Sequence, residues 1–292
     1  MTIREAENIV EELEYKSVLT DDEEFMLIEA FNYLIEQTKN SLWMIKLGGY
    51  YYGHKDFDLA LKYYELADSY GNEWAPEGLG YIWYYGRTGE KDYKKAFYYY
   101  SKAAENGYLK SKIKVADMYK NGYYVEQDHE KYCAIIEEIY SKIKDTNLLY
   151  DPLPEVCMRL AKIREEQSDP EAAIDLYLHA KFFLWQRLRI DPFFGELNMM
   201  KWLTDDLYAL TDVDYSDFDL YDLYYILKEP VRVSFLYQGD EYIVESERED
   251  EGISISFDGK WYRTIDDFFS KVIIDGRRIT ELYTEVYAFK RV

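Results

Sequence analysis

Small and apolar residues recur three or four positions apart through residues 75–107, between charged and tyrosine-rich positions. The two series are Ala75, Leu79 and Trp83, followed by Ala96, Tyr99 and Ala103. This spacing places each series on one face of an α-helix. Gly86 and Gly107 follow the two series, at the position where a left-handed residue commonly ends a helix. The pattern predicts two antiparallel helices that bury one face of each against the other.

The same arrangement returns with a period of 36 residues. The recurring sets are Asp56, Asp92 and Asp128, then Gly71 and Gly107, then Gly86 and Gly122. Each aspartate precedes a helical pattern, where its carboxylate can accept a hydrogen bond from the first turn. A constant period of this length is the signature of a helical-repeat solenoid.

The chain outside these units divides by its apolar pattern. Two amphipathic helices with an acidic outer surface precede the repeats, and a weaker copy of the repeat follows an interruption at Pro152 and Pro154. The predicted segments are N-terminal capping helices at 1–40, three repeats at 41–144, a degenerate repeat with closing helices at 145–210, an acidic tyrosine-rich connector at 211–230 and a small α+β domain at 231–292.

The last of these segments changes from a helical to an alternating period. Residues 231–237 alternate apolar with polar, and Gly239-Asp240 is a turn signal before a return strand. Further short strands at 253–257 and 261–262, a helix at 265–272 and a helix-to-strand run at 282–289 follow. The predicted fold class is mostly α, an α/α helical-repeat solenoid followed by a small C-terminal α+β domain.

The three units carry the residues of a known repeat motif. In the second unit these are Ala75, Leu79, Gly80, Trp83, Gly86, Asp92, Lys95, Ala96, Tyr99, Lys102, Ala103, Ala104 and Gly107. Over about residues 42–144 the spacing resembles the SEL-like repeat family, whose members are related to tetratricopeptide repeats. The resemblance implies a scaffold for protein–protein interaction whose first helices line the concave side of the array.

Composition restricts the partner. With 35 basic and 57 acidic residues, the net charge is −22, which repels nucleic-acid phosphates and anionic lipid headgroups. We therefore expect a basic protein partner, with no nucleic acid and no membrane; the alternative is that acidity only keeps the chain soluble. Two cysteines and the lack of a signal-like or membrane-spanning stretch predict a cytoplasmic protein.

Catalytic motifs are missing from the sequence. It contains no glycine-rich phosphate loop, no CxxC, no HExxH and no GxSxG. His54, His129 and His179 are isolated from one another, and no base lies at a motif spacing from Cys133 or Cys157. The sequence predicts no catalytic residue, no metal and no cofactor, and therefore a protein that is not an enzyme.

The 33 tyrosines exceed what a core needs, and those of the first helices are the candidate partner-binding residues. They are Tyr51, Tyr52, Tyr81, Tyr84, Tyr85, Tyr123 and Tyr124. Tyr50, Trp83 and Tyr119 occupy the aromatic position of the repeat itself and are expected in the core. A second candidate is an acidic patch in the connector, which could pair with arginines and lysines; the alternative is a solvated linker helix. Its members are Asp212, Asp214, Asp217, Asp219 and Asp222.

The C-terminal domain supports two further hypotheses. Small α+β modules of this kind resemble those of bacterial toxin-immunity proteins, so a sharper form of the scaffold hypothesis is an immunity-type inhibitor of a basic toxin or effector. The rival is an enzyme or ligand-responsive module with a small-molecule site at Trp261, Tyr262, Asp266 and Asp267. Convergent carboxylates in a pocket would favour the rival, whereas aspartates that only favour the start of a helix would not.

Overall fold

A computed structural model of the protein describes residues 1–16, 18–146, 148–149, 151–190, 194–211, 220–249, 252–282 and 285–292. The chain divides into two compact units, Met1–Ile135 and Ile136–Val292. Helices predominate, and a small antiparallel sheet follows them near the C-terminus. The predicted fold class is confirmed.

Unit 1 is built from helices that pack in consecutive pairs. They are α1 (Ile3–Leu13), α2 (Asp21–Thr38), α3 (Ser41–Gly53), α4 (Phe57–Ser69), α5 (Ala75–Tyr85), α6 (Tyr93–Glu105), α7 (Leu109–Asn121) and the start of α8 (His129–Ile143). In the three repeats, α3, α5 and α7 are the first helices, and α4, α6 and α8 are the second helices.

The predicted caps of the repeats are confirmed. Asp56, Asp92 and Asp128 each accept a hydrogen bond through Oδ1, from the backbone nitrogens of Leu59 (3.2 Å), Lys95 (2.9 Å) and Lys131 (2.8 Å). Gly86 and Gly122 end α5 and α7 in the left-handed conformation, with φ of 65° and 68°. The period therefore reflects hydrogen bonds that close the same turns in successive units.

In the second repeat, one residue of the predicted buried face is wrong. Tyr100, rather than Tyr99, is buried between Ala96 and Ala103, and its ring occupies the space left by Gly80 of α5. A Cβ atom on Gly80 would lie 2.6 Å from the Tyr100 ring. The close approach at a glycine therefore determines which ring of α6 is buried, and Tyr99 is half-buried beside it.

The aromatic positions of the repeat motif lie at the edge of the core. Tyr50, Trp83 and Tyr119 are half-buried and pack against core clusters. Lys95 places Nζ 3.6 Å from the centroid of a Trp83 ring, whereas Ile82 is fully buried. The expectation that these aromatic residues lie inside the core is correct only in part.

Unit 2 contains further helices and the sheet. The helices are α9 (Leu153–Glu166), α10 (Pro170–Ile190), α11 (Phe194–Leu210), α12 (Leu220–Ile226) and α13 (Ile265–Lys271), with a 3-10 turn at Ile279–Glu281. Asp169 accepts a hydrogen bond from the Ala172 backbone nitrogen at 3.1 Å, as its position before Pro170 predicts. The buried Arg187 guanidinium binds the backbone oxygens of Leu149 and Asp151 and the carboxylates of Glu155 and Glu196.

The strands form two antiparallel sheets. They are β1 (Val231–Tyr237), β2 (Asp240–Glu249), β3 (Gly252–Phe257), β4 (Lys260–Tyr262), β5 (Ile273–Ile274), β6 (Arg277–Arg278) and β7 (Val286–Arg291), in the orders β4-β3-β2-β1-β7 and β5-β6. Tyr237 pairs with Asp240, so the first turn is Gln238-Gly239, one residue before the predicted position. Both turn residues have positive φ, as a two-residue hairpin turn of type I′ requires.

Candidate protein-binding groove

Five of the candidate tyrosines lie in one run of ring contacts on unit 1. The centroid separations are 5.8 Å for Tyr52 and Tyr81, 4.3 Å for Tyr81 and Tyr85, 4.9 Å for Tyr84 and Tyr85, and 6.1 Å for Tyr84 and Tyr123. These separations are favourable for aromatic pairs. The run joins α3, α5 and the turn after α7, and we call these five residues the tyrosine surface.

The other two candidates contact second helices instead. Tyr51 stacks on Tyr63 of α4 at a centroid separation of 5.6 Å. Tyr124 is exposed and packs 5.9 Å from Phe97 of α6. The contacts recorded for Tyr51 and Tyr124 therefore place them outside the run that forms the tyrosine surface.

The members of the tyrosine surface differ in burial. Tyr84 is half-buried and contacts Tyr93 and Tyr100 at 5.7 and 6.0 Å, and burial raises its pKa to about 12. Tyr123 stacks on Tyr93 at 4.5 Å. Tyr85 is exposed. Tyr84 and Tyr123 thus pack the repeat, while Tyr85 offers a ring to solvent.

The tyrosine surface already holds cations of its own chain. The Arg87 guanidinium lies 5.5 Å from the Tyr81 ring and 5.4 Å from the Tyr85 ring, and its Nη2 donates to the Tyr81 hydroxyl at 3.4 Å. Lys114 Nζ donates to the Tyr85 hydroxyl at 2.9 Å and lies 5.2 Å from the Tyr84 ring. Both arrangements are cation–π contacts, which favour Arg and Lys on Tyr faces.

A groove of about 410 Å³ adjoins the tyrosine surface at Tyr52 and Tyr81. Its other aromatic walls are Tyr64, Trp74 and Tyr100, and its charged groups are Glu77, Lys110 and Lys114. The rings of Tyr64 and Tyr100 reach it from the second helices through the space left by glycines of α5. Trp74 at its rim is 68% exposed. A concave, mostly apolar site with a few polar groups is the usual form of a binding site.

Two polar groups in the groove lack strong hydrogen-bond partners. The Tyr100 side chain is 2% exposed, and its hydroxyl has no hydrogen-bond partner among the described residues. Glu77 accepts from the Ser111 hydroxyl at 3.5 Å, the limit of a hydrogen bond. Burial raises the pKa of the Glu77 carboxyl, although the Lys110 charge and Ser111 oppose the shift. Buried polar groups are normally paired, so a ligand that pairs with both would be stabilised.

Of the five predicted acids of the connector patch, the structure describes Asp222. Asp212, Asp214, Asp217 and Asp219 lie outside the described residues. Asp222 is 1% exposed, forms an ion pair with Lys181 at 2.6 Å and accepts from the Tyr208 hydroxyl at 2.7 Å. Asp222 therefore does not belong to a surface patch, because its carboxylate is buried and paired within unit 2.

At the proposed C-terminal small-molecule site, the two aspartates contact different partners. Asp266 accepts from the Tyr224 hydroxyl, whereas Asp267 pairs with Lys271 at 2.8 Å and donates its backbone N–H to the Thr264 hydroxyl that caps α13. An open depression beside Trp261 and Tyr262 includes Asp267 but not Asp266. The convergent carboxylates that would favour an enzyme are not found at this place.

One histidine contacts a cysteine: Nε2 of His129 lies 3.3 Å from Sγ of Cys133, one turn further along α8. The expectation that no base lies near Cys133 is therefore wrong. Nδ1 of His54 lies 2.8 Å from the Tyr50 carbonyl oxygen. Burial raises the pKa of the Cys157 thiol to about 12. In the part of the chain that the structure describes, no group of three or more His, Cys, Asp or Glu side chains could hold a metal ion. Nor does any described helix combine the length and apolar composition of a membrane span.

Sequence reasoning missed the groove itself. Tyr64, Tyr100 and Glu77 belong to it, yet the first two are on second helices and the third looks like an ordinary surface acid. The available signal was the pair Gly78 and Gly80 within a helix, because glycine there weakens the helix unless something packs closely against it. That signal indicates a close approach but not which residue makes it.

Paired helices with repeated caps define unit 1 as a helical-repeat scaffold. The model of the Sel1 repeat family matches residues 44–67, 78–108 and 110–135. The protein therefore contains Sel1 repeats, as the predicted resemblance to SEL-like repeats implied.

Two solved structures match part of this chain. A Sel1 repeat protein from Oxalobacter formigenes is 20% identical, with a TM-score of 0.51 over 65% of this chain and 70% of that one. A protective antigen of uropathogenic Escherichia coli strains, which displays an SLR fold, is 19% identical with a TM-score of 0.46, and the match covers 63% of this chain but only 44% of that one. The first likeness supports the fold alone. No curated protein matches the chain.

Proposed function

We propose that this protein is a non-enzymatic scaffold that binds another protein through the tyrosine surface and the groove beside it. The Sel1 repeats support an interaction scaffold. The observation that carries the choice of surface is the run of aromatic contacts from Tyr52 to Tyr123, which joins successive repeats. Rigid aromatic rings contribute contact area at low conformational cost and are common in binding hot spots.

The finer form of the proposal is that the partner is basic. A net charge of −22 attracts a cationic protein and accelerates its association at low salt. An inhibitor of the immunity type, which would bind a basic toxin or effector, agrees with this charge and with the small α+β domain. The acidic groups need not touch the partner, since the field of the whole chain acts over a Debye length.

The test measures binding to the product of the neighbouring gene at two salt concentrations. Substituting Tyr81→Ala together with Tyr85→Ala should weaken binding by about 2 kcal/mol or more and leave the melting temperature nearly unchanged. A matched control is Tyr98→Ala, which removes an exposed ring of α6 outside the tyrosine surface. The control should bind like the wild-type protein.

Two outcomes would contradict the proposal. A double variant that binds and melts normally would show that the partner uses another surface. A double variant that melts as early as a core variant would show that these rings are structural. An acidic partner, or an affinity that does not change with salt, would reject the basic-partner form alone.

A further inference from the structure

The groove contains hydrogen-bond acceptors and aromatic ring faces, and its polar groups are not fully paired with one another. The buried hydroxyl of Tyr100 has no partner among the described residues, and the Glu77 carboxylate accepts a hydrogen bond from Ser111 Oγ at the long distance of 3.5 Å. The surrounding walls are aromatic rings. A group that donates several hydrogen bonds and stacks on rings would satisfy both features.

Two tyrosines of α5 already hold a group of this kind from the same chain. Arg87 places its guanidinium over the rings of Tyr81 and Tyr85 and donates to the Tyr81 hydroxyl. Tyr81 also lines the groove, so the ring that holds the chain's own guanidinium is shared with the groove. A guanidinium is planar, weakly hydrated and a donor only, which suits tyrosine faces better than an ammonium does.

The lysines of the groove must be weighed against this view. Lys114 is engaged by the Tyr85 hydroxyl and by the rings of Tyr84 and Tyr85. Lys110 is exposed, and its charge partly compensates Glu77. A ligand carboxylate attracted to these lysines would meet the Glu77 charge, which a cation would neutralise. The lysines therefore reduce the affinity for a cation without supplying a complete site for an anion.

We propose that the groove receives an arginine side chain of the basic partner, with its guanidinium between the tyrosine rings and hydrogen-bonded to Glu77 and to the Tyr100 hydroxyl. This inference rests on the proposed function and adds the chemistry of the contact. It assigns the groove to an arginine anchor of a protein, and a lysine, leucine or glutamate anchor is an alternative that the test separates.

The probes are capped pentapeptides, acetyl-GGXGG-amide, in which X is Arg, Lys, Leu or Glu. Binding to the full chain is followed by NMR of the indole N–H groups of the six tryptophans, with the rim residue Trp74 assigned by Trp74→Phe. We expect the Arg peptide to shift the Trp74 signal, to bind about fivefold more tightly than the Leu and Glu peptides, and to bind more tightly than the Lys peptide. Preference for the Lys, Leu or Glu peptide, or equal binding of all four, would overturn the inference.

Three variants test the assigned groups. Glu77→Gln should weaken Arg-peptide binding about fivefold, whereas Glu73→Gln, which removes an equal charge from an exposed site outside the groove, should change it less than about twofold. Lys110→Gln should strengthen binding by about twofold, because a repelling cation is removed. Weaker binding of the Arg peptide by Lys110→Gln would overturn the inference, because Lys110 would then support the bound peptide and not repel its guanidinium.

A further variant distinguishes a binding role of the Tyr100 hydroxyl from a purely structural one. Tyr100→Phe keeps the ring, so the melting temperature should not fall, while Arg-peptide binding should weaken by about threefold and Leu-peptide binding should not change. A variant that binds the Arg peptide normally would overturn the role of the hydroxyl. If all peptide tests fail while the tyrosine double variant still loses the partner, the arginine anchor is wrong and the proposed function stands.

Discussion

In unit 1 the large buried side chains with polar ends are tyrosines of second helices, such as Tyr64 and Tyr100, whereas in unit 2 the buried polar side chains include Arg187 and Asp222. Arg187 reaches two backbone oxygens and two carboxylates, and Asp222 binds Lys181 and the Tyr208 hydroxyl. The Tyr100 hydroxyl has no such partner among the described residues.

This difference separates structural polar groups from candidate binding groups. A buried charge must be paired, or the uncompensated charge destabilises the fold by several kcal/mol. A buried hydroxyl without a partner costs about 1–3 kcal/mol, which a protein can tolerate at a binding site. Folding alone explains the paired Arg187 and Asp222 of unit 2. A missing partner does not by itself indicate a ligand, because Thr280 Oγ1 of unit 2 also has none among the described residues. The Tyr100 hydroxyl differs in that its side chain lines a groove.

The strongest test of the structural side of this comparison is Arg187→Ala. Removal of one partner from a buried ionic network should cost about 3–5 kcal/mol of unfolding free energy, measured by urea denaturation. The matched control is Arg164→Ala, whose guanidinium pairs with the half-exposed Glu137 at 2.9 Å. The control should cost less than about 1 kcal/mol. Equal losses in the two variants would remove the distinction between buried and surface charge in unit 2.

On the side of unit 1, Leu79→Ala should cost about 2–5 kcal/mol. Leu79 is fully buried in α5, so truncation leaves a cavity in the repeat. Tyr85→Ala, six residues along the same helix and exposed, should change the unfolding free energy by less than about 0.5 kcal/mol. Thermal denaturation of both variants measures this contrast. A large loss for Tyr85→Ala would place that ring in the core and weaken the case for the tyrosine surface.

Features that depend on nearby residues were predictable from the sequence. The caps at Asp56, Asp92 and Asp128 each join a carboxylate to an N–H three residues later, so local spacing specifies them. Burial of Tyr100 instead of Tyr99 depends on a glycine of another helix. The two tyrosines differ by about one-third of a helical turn, and the apolar periodicity of the sequence does not resolve so small a rotation.

The other incorrect predictions concern residues whose contacts are distant in the sequence. Asp222 looks like one more acid of an acidic connector, but it is neutralised by Lys181, which is 41 residues away. Glu77 likewise gains its environment from Lys110 and Ser111 of the next first helix. Charge counts along the sequence cannot distinguish a paired buried acid from an exposed one, so the acidic patch was assigned too broadly.

The contact that packs the Tyr100 ring against Gly80 gives a test of intermediate size. Gly80→Ala should destabilise unit 1 by about 1–3 kcal/mol, because the new Cβ would lie 2.6 Å from the ring. Gly49→Ala is the matched control, since its Cβ would meet nothing closer than the Tyr64 hydroxyl at 3.9 Å. The control should stabilise its helix by about 0.5–1 kcal/mol. Thermal denaturation should shift in opposite directions for the two variants, and shifts in the same direction would reject the close packing of ring on glycine.

The smallest expected effect concerns the pH dependence that Glu77 gives to unit 1. Burial raises the pKa of this carboxyl above its ordinary value of 4.5, so the folded state retains a proton that the unfolded state has released. Stability linked to that proton is complete below about pH 4.5 and is lost as the pH rises through the folded pKa. Glu77→Gln removes this loss. We therefore expect the variant to match the wild-type protein in stability near pH 4 and to exceed it near pH 7.

Urea denaturation at several pH values measures the difference between the two proteins. Glu73→Gln supplies the reference, because that side chain is exposed and outside the groove. If Glu77→Gln were instead less stable at pH 7 than at pH 4 relative to wild type, the carboxylate would be stabilised by its surroundings in the folded chain. It would then resemble the paired acids of unit 2, and the groove would no longer contain a charge that a partner's arginine is needed to neutralise.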